Sequence, residues 1–302
     1  MIYDKYAFTV PEKFRIRVIT NTDAKNEADD QYAIVHALLS PRFDNVGIIA
    51  AHFGDKKSKT SMQDSYDEAA LLLDLMDVDK GILVKGAPHA LSDDKTPVPS
   101  DGARMIIEEA MKDTDVPLYV TFLGPLTDLA CAYLMEPRIA GRLTAIWIGG
   151  GVYPCGGREY NLSNDIAAAN VVMNSPISLW QVPRETYQQM LVSITELEMR
   201  VRPCGKLGEY LFDQLAEHAR LHSNPPTRTG ETWILGDSPA VGLLLWEHPF
   251  DYDWLPAPNF DAEMRYIHER PNRPIRVYRK VDSRFILEDF YAKLVRFTND
   301  QK

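Results

Sequence analysis

Cysteine is scarce in this chain. Cys131, Cys155 and Cys204 are the only three among 302 residues, odd in number and widely spaced, so neither a disulfide framework nor a zinc site is indicated. Positive charge is also short, with 33 Lys and Arg against 43 Asp and Glu and a net charge of −10. No basic block offsets that balance, which argues against a nucleic-acid partner. The densest basic stretches, "RIR" at residues 15–17 and "RPNRPIRVYRK" at 270–280, read as solvated strand flanks. No apolar run approaches the length of a membrane span. The opening "MIYDKYAFTVPEKF" has neither a charged segment leading into an apolar core nor a cleavage site, so a cytoplasmic protein free of the membrane is expected.

What the chain does have is an ordinary globular composition, 45% hydrophobic and 25% charged. At this length roughly three quarters of the unfolded surface can be buried, enough for one large domain without staples. Short apolar runs alternate with helical patterns. "NVGIIAAHF" (45–53), "GILVKGA" (81–87), "PLYVTFLG" (117–124) and "RLTAIWIGGG" (142–151) read as strands. Between them lie helical segments at 58–78, 100–112 and 125–137. Such alternation predicts an α/β fold: a single domain over residues 1–302, with a mostly parallel central sheet flanked by helices. No linker or low-complexity tract divides it, and the polar stretch at 223–232 reads as a surface loop near a site. Ligands of such sheets bind beyond the carboxyl ends of the strands, which singles out residues 23 onward, 52–56, 123–128 and 149–161.

The first of these segments is the most informative. Residues 15–22 alternate and are β-branched, predicting a strand, while Ala33, Ile34, Ala37 and Leu38 fall at the spacing of an amphipathic helix. Asp23, Glu27, Asp29 and Asp30 crowd the turn between. One carboxylate would cap the helix. Several together repel unless a cation or a tight hydrogen-bond network holds them. An EF-hand loop starting at Asp23 would need glycine where Ala28 stands. A phosphatase of the haloacid dehalogenase kind would want aspartate where Asn21 stands. Gly149 to Gly151 precede Pro154 rather than a helix, which spoils a dinucleotide fingerprint. Asn161-Leu162-Ser163 is a glycosylation sequon with no secretory context to use it. "REYNLSND" adds Glu159, Asn161 and Asp165 after a strand, and "WILGDSPAVGLLL" puts Asp237 before an apolar helix. Each of those taken alone is equally a polar loop or a helix cap.

Together these segments resemble the nucleoside hydrolase family, the inosine–uridine-preferring ribohydrolases. The resemblance runs through "DD..AI" at 29–34 preceded by Asp23, "GPLTDLA....MEPRI", "IGGG", "EYN...D" and "GDSPAV", in the family's order. "VYRKVDSRFILEDFYAKL" resembles the family's last strand and helix, so nearly the whole chain is covered. It implies Ca2+-dependent hydrolysis of the N-glycosidic bond of nucleosides or related ribosides, in a homodimer or homotetramer. Asp23, Asp30, Asp237 and the carbonyl of Leu123 would bind the calcium ion, with Asp23 also the base for the attacking water. Asp29, Glu159 and Asn161 would bind ribose hydroxyls. Hard oxygen ligands suit Ca2+, and carboxylates suit an oxocarbenium-like transition state.

The chain departs from the family in several places. "DAKNEADD" is two residues longer than the usual acidic loop and lacks its Pro and Gly. "HFGDKK" offers Gly54 and Asp55 where Gly-Asn is usual, which makes Asp55 a candidate sugar contact. Gly236 stands where some members carry a His that assists the departing base, and one sugar-binding Asn has no counterpart. His52, His89, Tyr187 and Arg158 remain as candidate proton donors to the leaving group. Two other functions are compatible with these residues, a hydrolase of another glycoside and a catalytically silent sugar-binding relative.

Overall fold

Residues 16–22 are buried at every position, as a strand covered on both faces must be. They form β1 (Ile16–Thr22) in the computed structural model, which describes residues 5–222, 229–246, 250–269 and 271–301. The chain then runs through α1 (Asp30–Leu39), β2 (Phe43–Ala50), α2 (Ser61–Leu75), β3 (Leu83–Lys85), α3 (Asp101–Met111), β4 (Leu118–Phe122), α4 (Thr127–Met135) and β5 (Thr144–Ile148). Next come α5 (Tyr160–Asn164), α6 (Ile166–Met173), β6 (Ser178–Val182), α7 (Arg184–Tyr187), β7 (Leu191–Ser193), α8 (Ile194–Arg200) and α9 (Gly205–Leu221). The last part holds β8 (Thr232–Ile234), α10 (Ser238–Leu245), β9 (Asp251–Pro256), β10 (Asn259–Phe260), β11 (Tyr266–Ile267), β12 (Pro274–Lys280) and α11 (Ser283–Asp300). Most of the loop expected at 223–232 lies outside the described residues.

Eight strands make one sheet in the order β3-β2-β1-β4-β5-β6-β12-β9, parallel throughout except for the antiparallel edge strand β9. The expected mostly parallel α/β domain is what forms. Successive residues of β1 enter opposite cores. Val18 joins Tyr32, Leu72, Leu211, Leu243 and Phe290 from α1, α2, α9, α10 and α11, whereas Ile19 joins Ile106, Leu129 and Val172 from α3, α4 and α6. Among the described residues no helix is long and apolar enough to cross a membrane.

Strand order reverses its direction of growth at β1, because β2 and β3 lie to one side of it and β4 to the other. A crevice opens at such a switch point, beyond the carboxyl ends of the strands. Here the Leu123 N–H donates to the Asn21 carbonyl at 2.9 Å, fixing the two strand ends on either side of it. The helix leaving β1 differs from the amphipathic expectation. All ten residues of α1 are buried, because α10 and α11 pack over the face that was expected to meet solvent. Its far end is held to α11 by His36 Nε2 donating to Asp289 at 2.7 Å and by Lys293 Nζ donating to Ser40 Oγ at 2.9 Å. A helix pinned in this way presents its first turn to the crevice as a rigid edge.

Candidate active site

The acidic loop is two residues longer than expected for its family resemblance, yet it is fastened throughout. Gln31 Nε2 donates to the Ala24 carbonyl at 2.6 Å and to Glu68 of α2 at 3.0 Å. Lys25 pairs with the same Glu68 at 2.7 Å, and Tyr210 of α9 donates its hydroxyl there as well. Lys57 donates to the Asn26 carbonyl at 3.1 Å and to its side-chain oxygen at 2.6 Å. The extra length is thus taken up by Ala24 to Ala28 without loosening the aspartates on either side.

Those aspartates do not behave as caps. Asp29 and Asp237 occupy the N-cap positions of α1 and α10, but neither side chain bonds to its own helix. Ser100, Glu159, Asp165 and Asp282 do cap theirs, so the geometry was available. Instead oxygens of Asp29, Asp30 and Asp237 all lie within 4.8 Å of one another, in a buried group that could hold a metal ion. Thr22 Oγ1 donates to Asp30 Oδ1 at 2.5 Å, Asp30 and Asp237 share a hydrogen bond, and the Gly236 N–H donates to Asp29. Asp23 lines the same cavity, and its Oδ2 is buried with no hydrogen-bond partner. Burial pushes Asp23, Asp29 and Asp237 well above the usual carboxylate range, and their mutual repulsion pushes them further. Burial also lifts Asp30, to about 6, against the opposing effect of its Thr22 and Asp237 bonds. Four ionised carboxylates cannot share this volume without positive charge.

Around them, Asn26, Glu27, Leu123, Ile148, Glu159, Tyr160, Asn161, Tyr187 and Gly236 complete a narrow cavity of about 40 Å³. Glu27, Tyr160 and Tyr187 are the half-buried members and mark its mouth. Asn161 Nδ2 donates to the carbonyls of Leu123 at 2.6 Å and Ile148 at 2.8 Å, bridging the ends of β4 and β5. Glu159 serves as more than a polar loop residue or a cap. Its Oε2 accepts from the Gly150 and Leu162 N–H groups, both at 2.9 Å, and its Oε1 from the Asn161 N–H at 3.1 Å and the Tyr187 hydroxyl at 3.0 Å.

Other candidates fall away from the cavity. Asp55 is exposed and paired with Lys59 at 2.7 Å, because the turn after β2 carries it outward; it is not a lining residue, contrary to expectation. His52 is buried, and its Nδ1 accepts from the Gly54 N–H, so Nε2 carries the proton and donates to Thr127 Oγ1 at 2.9 Å. Thr127 in turn donates to Asp165 at 2.8 Å. Burial lowers the His52 pKa to about 4. His89 is exposed and bonded to the Ala90 carbonyl, and Arg158 is exposed, neither lining the cavity. Tyr187 does line it, but burial and the neighbouring Glu159 raise its phenol far above the range of a useful acid. Asn26 and Tyr160 fall in the strand-end segments singled out from the sequence but were given no role there, and Ile148, the last residue of β5, was not singled out. A larger groove of about 610 Å³ lies between α8, α9 and α11, lined by Met199, Tyr291 and Val295, and holds no carboxylate cluster.

The model of the family described as inosine-uridine preferring nucleoside hydrolase matches residues 18–284. A 120-residue segment, 38% of this chain, is 27% identical to a probable uridine nucleosidase 2 of Arabidopsis thaliana, and the match spans 37% of that relative's length. Among solved structures, a purine-preferring ribonucleoside hydrolase from Gardnerella vaginalis superposes with a TM-score of 0.78 at 20% identity, covering 94% of this chain and 99% of that one. A plant nucleoside hydrolase superposes with a TM-score of 0.75 at 18% identity, covering 93% and 99%.

Proposed function

Since the chain belongs to the inosine-uridine preferring nucleoside hydrolase family, we propose that it hydrolyses the N-glycosidic bond of nucleosides or related ribosides, giving ribose and free base, with Ca2+ at the carboxylate cluster. The observation that carries this is the Asp23 Oδ2 atom, buried without a donor beside three further buried carboxylates. A cation is what such a set lacks. The donors are all hard oxygens, which favour Ca2+ over softer-liganded metals.

Asp30 and Asp237, with Asp23 and the Leu123 carbonyl, would hold the ion. Asp23 is assigned to it because its buried Oδ2 has no hydrogen-bond partner, whereas Asp29, the third carboxylate of the close group, accepts from Gly236. The Leu123 carbonyl has one lone pair left beside its Asn161 bond. When bound, Ca2+ would supply positive charge that makes a water more acidic and grips vicinal sugar hydroxyls. Asp23 takes the proton of the attacking water. Asp29 and Asn161 contact the ribose and Glu159 acts on it indirectly, its own acceptor positions being filled, while the carboxylates around the sugar stabilise the oxocarbenium-like transition state.

The test is reducing-sugar release from a panel of nucleosides and other glycosides, with and without chelator. Release from nucleosides that stops on chelation is expected. Release only from another glycoside, or tight ribose binding without any release, would replace this function with one of its alternatives. A second result is expected at Gly124. A Cβ there would stand 2.8 Å from Asp23 Cγ and 3.0 Å from its Oδ1, so Gly124→Ala must displace that carboxylate. Overpacking of this kind costs about 1–3 kcal/mol. Calorimetric titration should show Ca2+ affinity lowered about tenfold or more, since about 1.4 kcal/mol of the strain suffices for that. Wild-type affinity in that variant would detach Asp23 from the ion.

A further inference from the structure

Glu159 cannot take a sugar hydroxyl in the state seen here. A carboxylate offers about four acceptor positions. Three are filled by the main-chain N–H groups of Gly150, Asn161 and Leu162, which the start of α5 and the glycine turn fix in place. The fourth holds the Tyr187 hydroxyl. That hydroxyl belongs to a half-buried side chain at the cavity mouth, and its oxygen keeps lone pairs after donating.

Residue 236 makes the arrangement possible. Gly236 has no positive φ, so glycine is not needed there for backbone conformation. It is needed for room. A Cβ at 236 would stand 3.1 Å from Tyr187 Cδ2 and 3.3 Å from Asp29 Oδ2, so even a methyl group would make the ring and the carboxylate give by a few tenths of an ångström. The missing side chain at 236 and the tyrosine at 187 are two halves of one feature.

We propose that Tyr187 is a substrate-positioning residue: its oxygen accepts from one hydroxyl of the ribose while its own O–H remains donated to Glu159. The phenol is a relay between a carboxylate already saturated by the backbone and the incoming sugar. Burial and the adjacent carboxylate keep it protonated, so it remains a donor to Glu159 across the working pH range. This deepens the riboside reading above and rests on it.

Calorimetric titration of methyl β-D-ribofuranoside and its 2-deoxy, 3-deoxy and 5-deoxy analogues, in buffer with Ca2+, tests it. Tyr187→Phe should weaken binding of the parent sugar about five- to tenfold, the worth of one neutral hydrogen bond. For one of the three deoxy analogues the substitution should have no further effect, because the hydroxyl it served is already gone. Equal losses for all four sugars would reduce Tyr187 to a support for Glu159, and tighter binding by Tyr187→Phe would make it a plug; either overturns the relay. A wild-type protein that binds none of these sugars overturns it too. None of the four carries a nucleobase, so a Tyr187-dependent pattern without nucleoside cleavage would keep the relay and sink the hydrolase function.

Discussion

Chelation should lower the melting temperature of this protein, and lower it further at pH 8 than at pH 5. The sign follows from the cluster. Asp23, Asp29, Asp30 and Asp237 have folded pKa values raised above those of the unfolded chain, so the metal-free native state binds more protons than the unfolded state. Stability from that source is complete below about pH 4, the ordinary aspartate range. It fades as pH rises through the raised folded values, about 6 for Asp30. Each extra proton held by the native state contributes a slope of about 1.4 kcal/mol per pH unit. The Ca2+ proposed for this site would bind the ionised form and should flatten or reverse the slope. At a hundredfold excess over its dissociation constant it should add about 2.7 kcal/mol, several degrees for a chain of this size. Asp30→Asn should show opposite effects in the two states. The metal-free variant, relieved of one buried charge, should melt no lower than wild type and depend less on pH. Its response to Ca2+ and its activity should fall together, by more than the ~10–100-fold that losing a supporting contact to a ligand costs. Equal melting temperatures for a chelated, dialysed sample with and without added Ca2+ would remove the ion from the site.

p-Nitrophenyl riboside should be cleaved much faster than inosine or uridine. A departing base needs its developing negative charge neutralised, usually by an acid with a pKa near the working pH. The described cavity lining contains no histidine, lysine or cysteine. His52 is buried in its own hydrogen-bond chain, His89 and Arg158 are exposed outside the lining, and the phenol of Tyr187 holds its proton too tightly. Under the proposed assignment the carboxylates are committed to the ion and the sugar. Nitrophenolate leaves without a proton, so the comparison measures what general acid catalysis would have added, about 10²–10⁴-fold. Comparable kcat/KM values for all three substrates, together with a residue whose removal spares only the nitrophenyl one, would reveal an acid outside this set.

Sequence periodicity was enough to reach the sheet and its mostly parallel pairing, because β-branched alternation and helical spacing are local signals. The density of carboxylates around Asp23, Asp29 and Asp30 pointed to the crevice for the same reason: like charges crowd together only against a force that holds them. Local signals end there. Nothing near Asp55 indicates that its turn leads to Lys59 and solvent. That Glu159 is saturated depends on Gly150, nine residues earlier, and on Tyr187 beyond the next strand. Thr22 read simply as a strand residue, although its hydroxyl supports Asp30. α1 read as amphipathic because its covering, α10 and α11, arrives more than two hundred residues later.

That separation also sets an order on biosynthesis. Asp29 and Asp30 leave the ribosome early, while Asp237 heads a helix made in the last third of the chain. A nascent chain therefore has only part of the acidic set to offer, with Asp29 and Asp30 still solvated and far from needing a counter-ion. Asp237 joins them only when α10 packs on α1. Under the proposed assignment calcium would accordingly act on completed molecules, as a lock on an assembled structure rather than a guide to its assembly. Products truncated before α10 should show no calcium response, and should remain exposed to chaperones and proteases at the face of α1 that α10 and α11 would have covered.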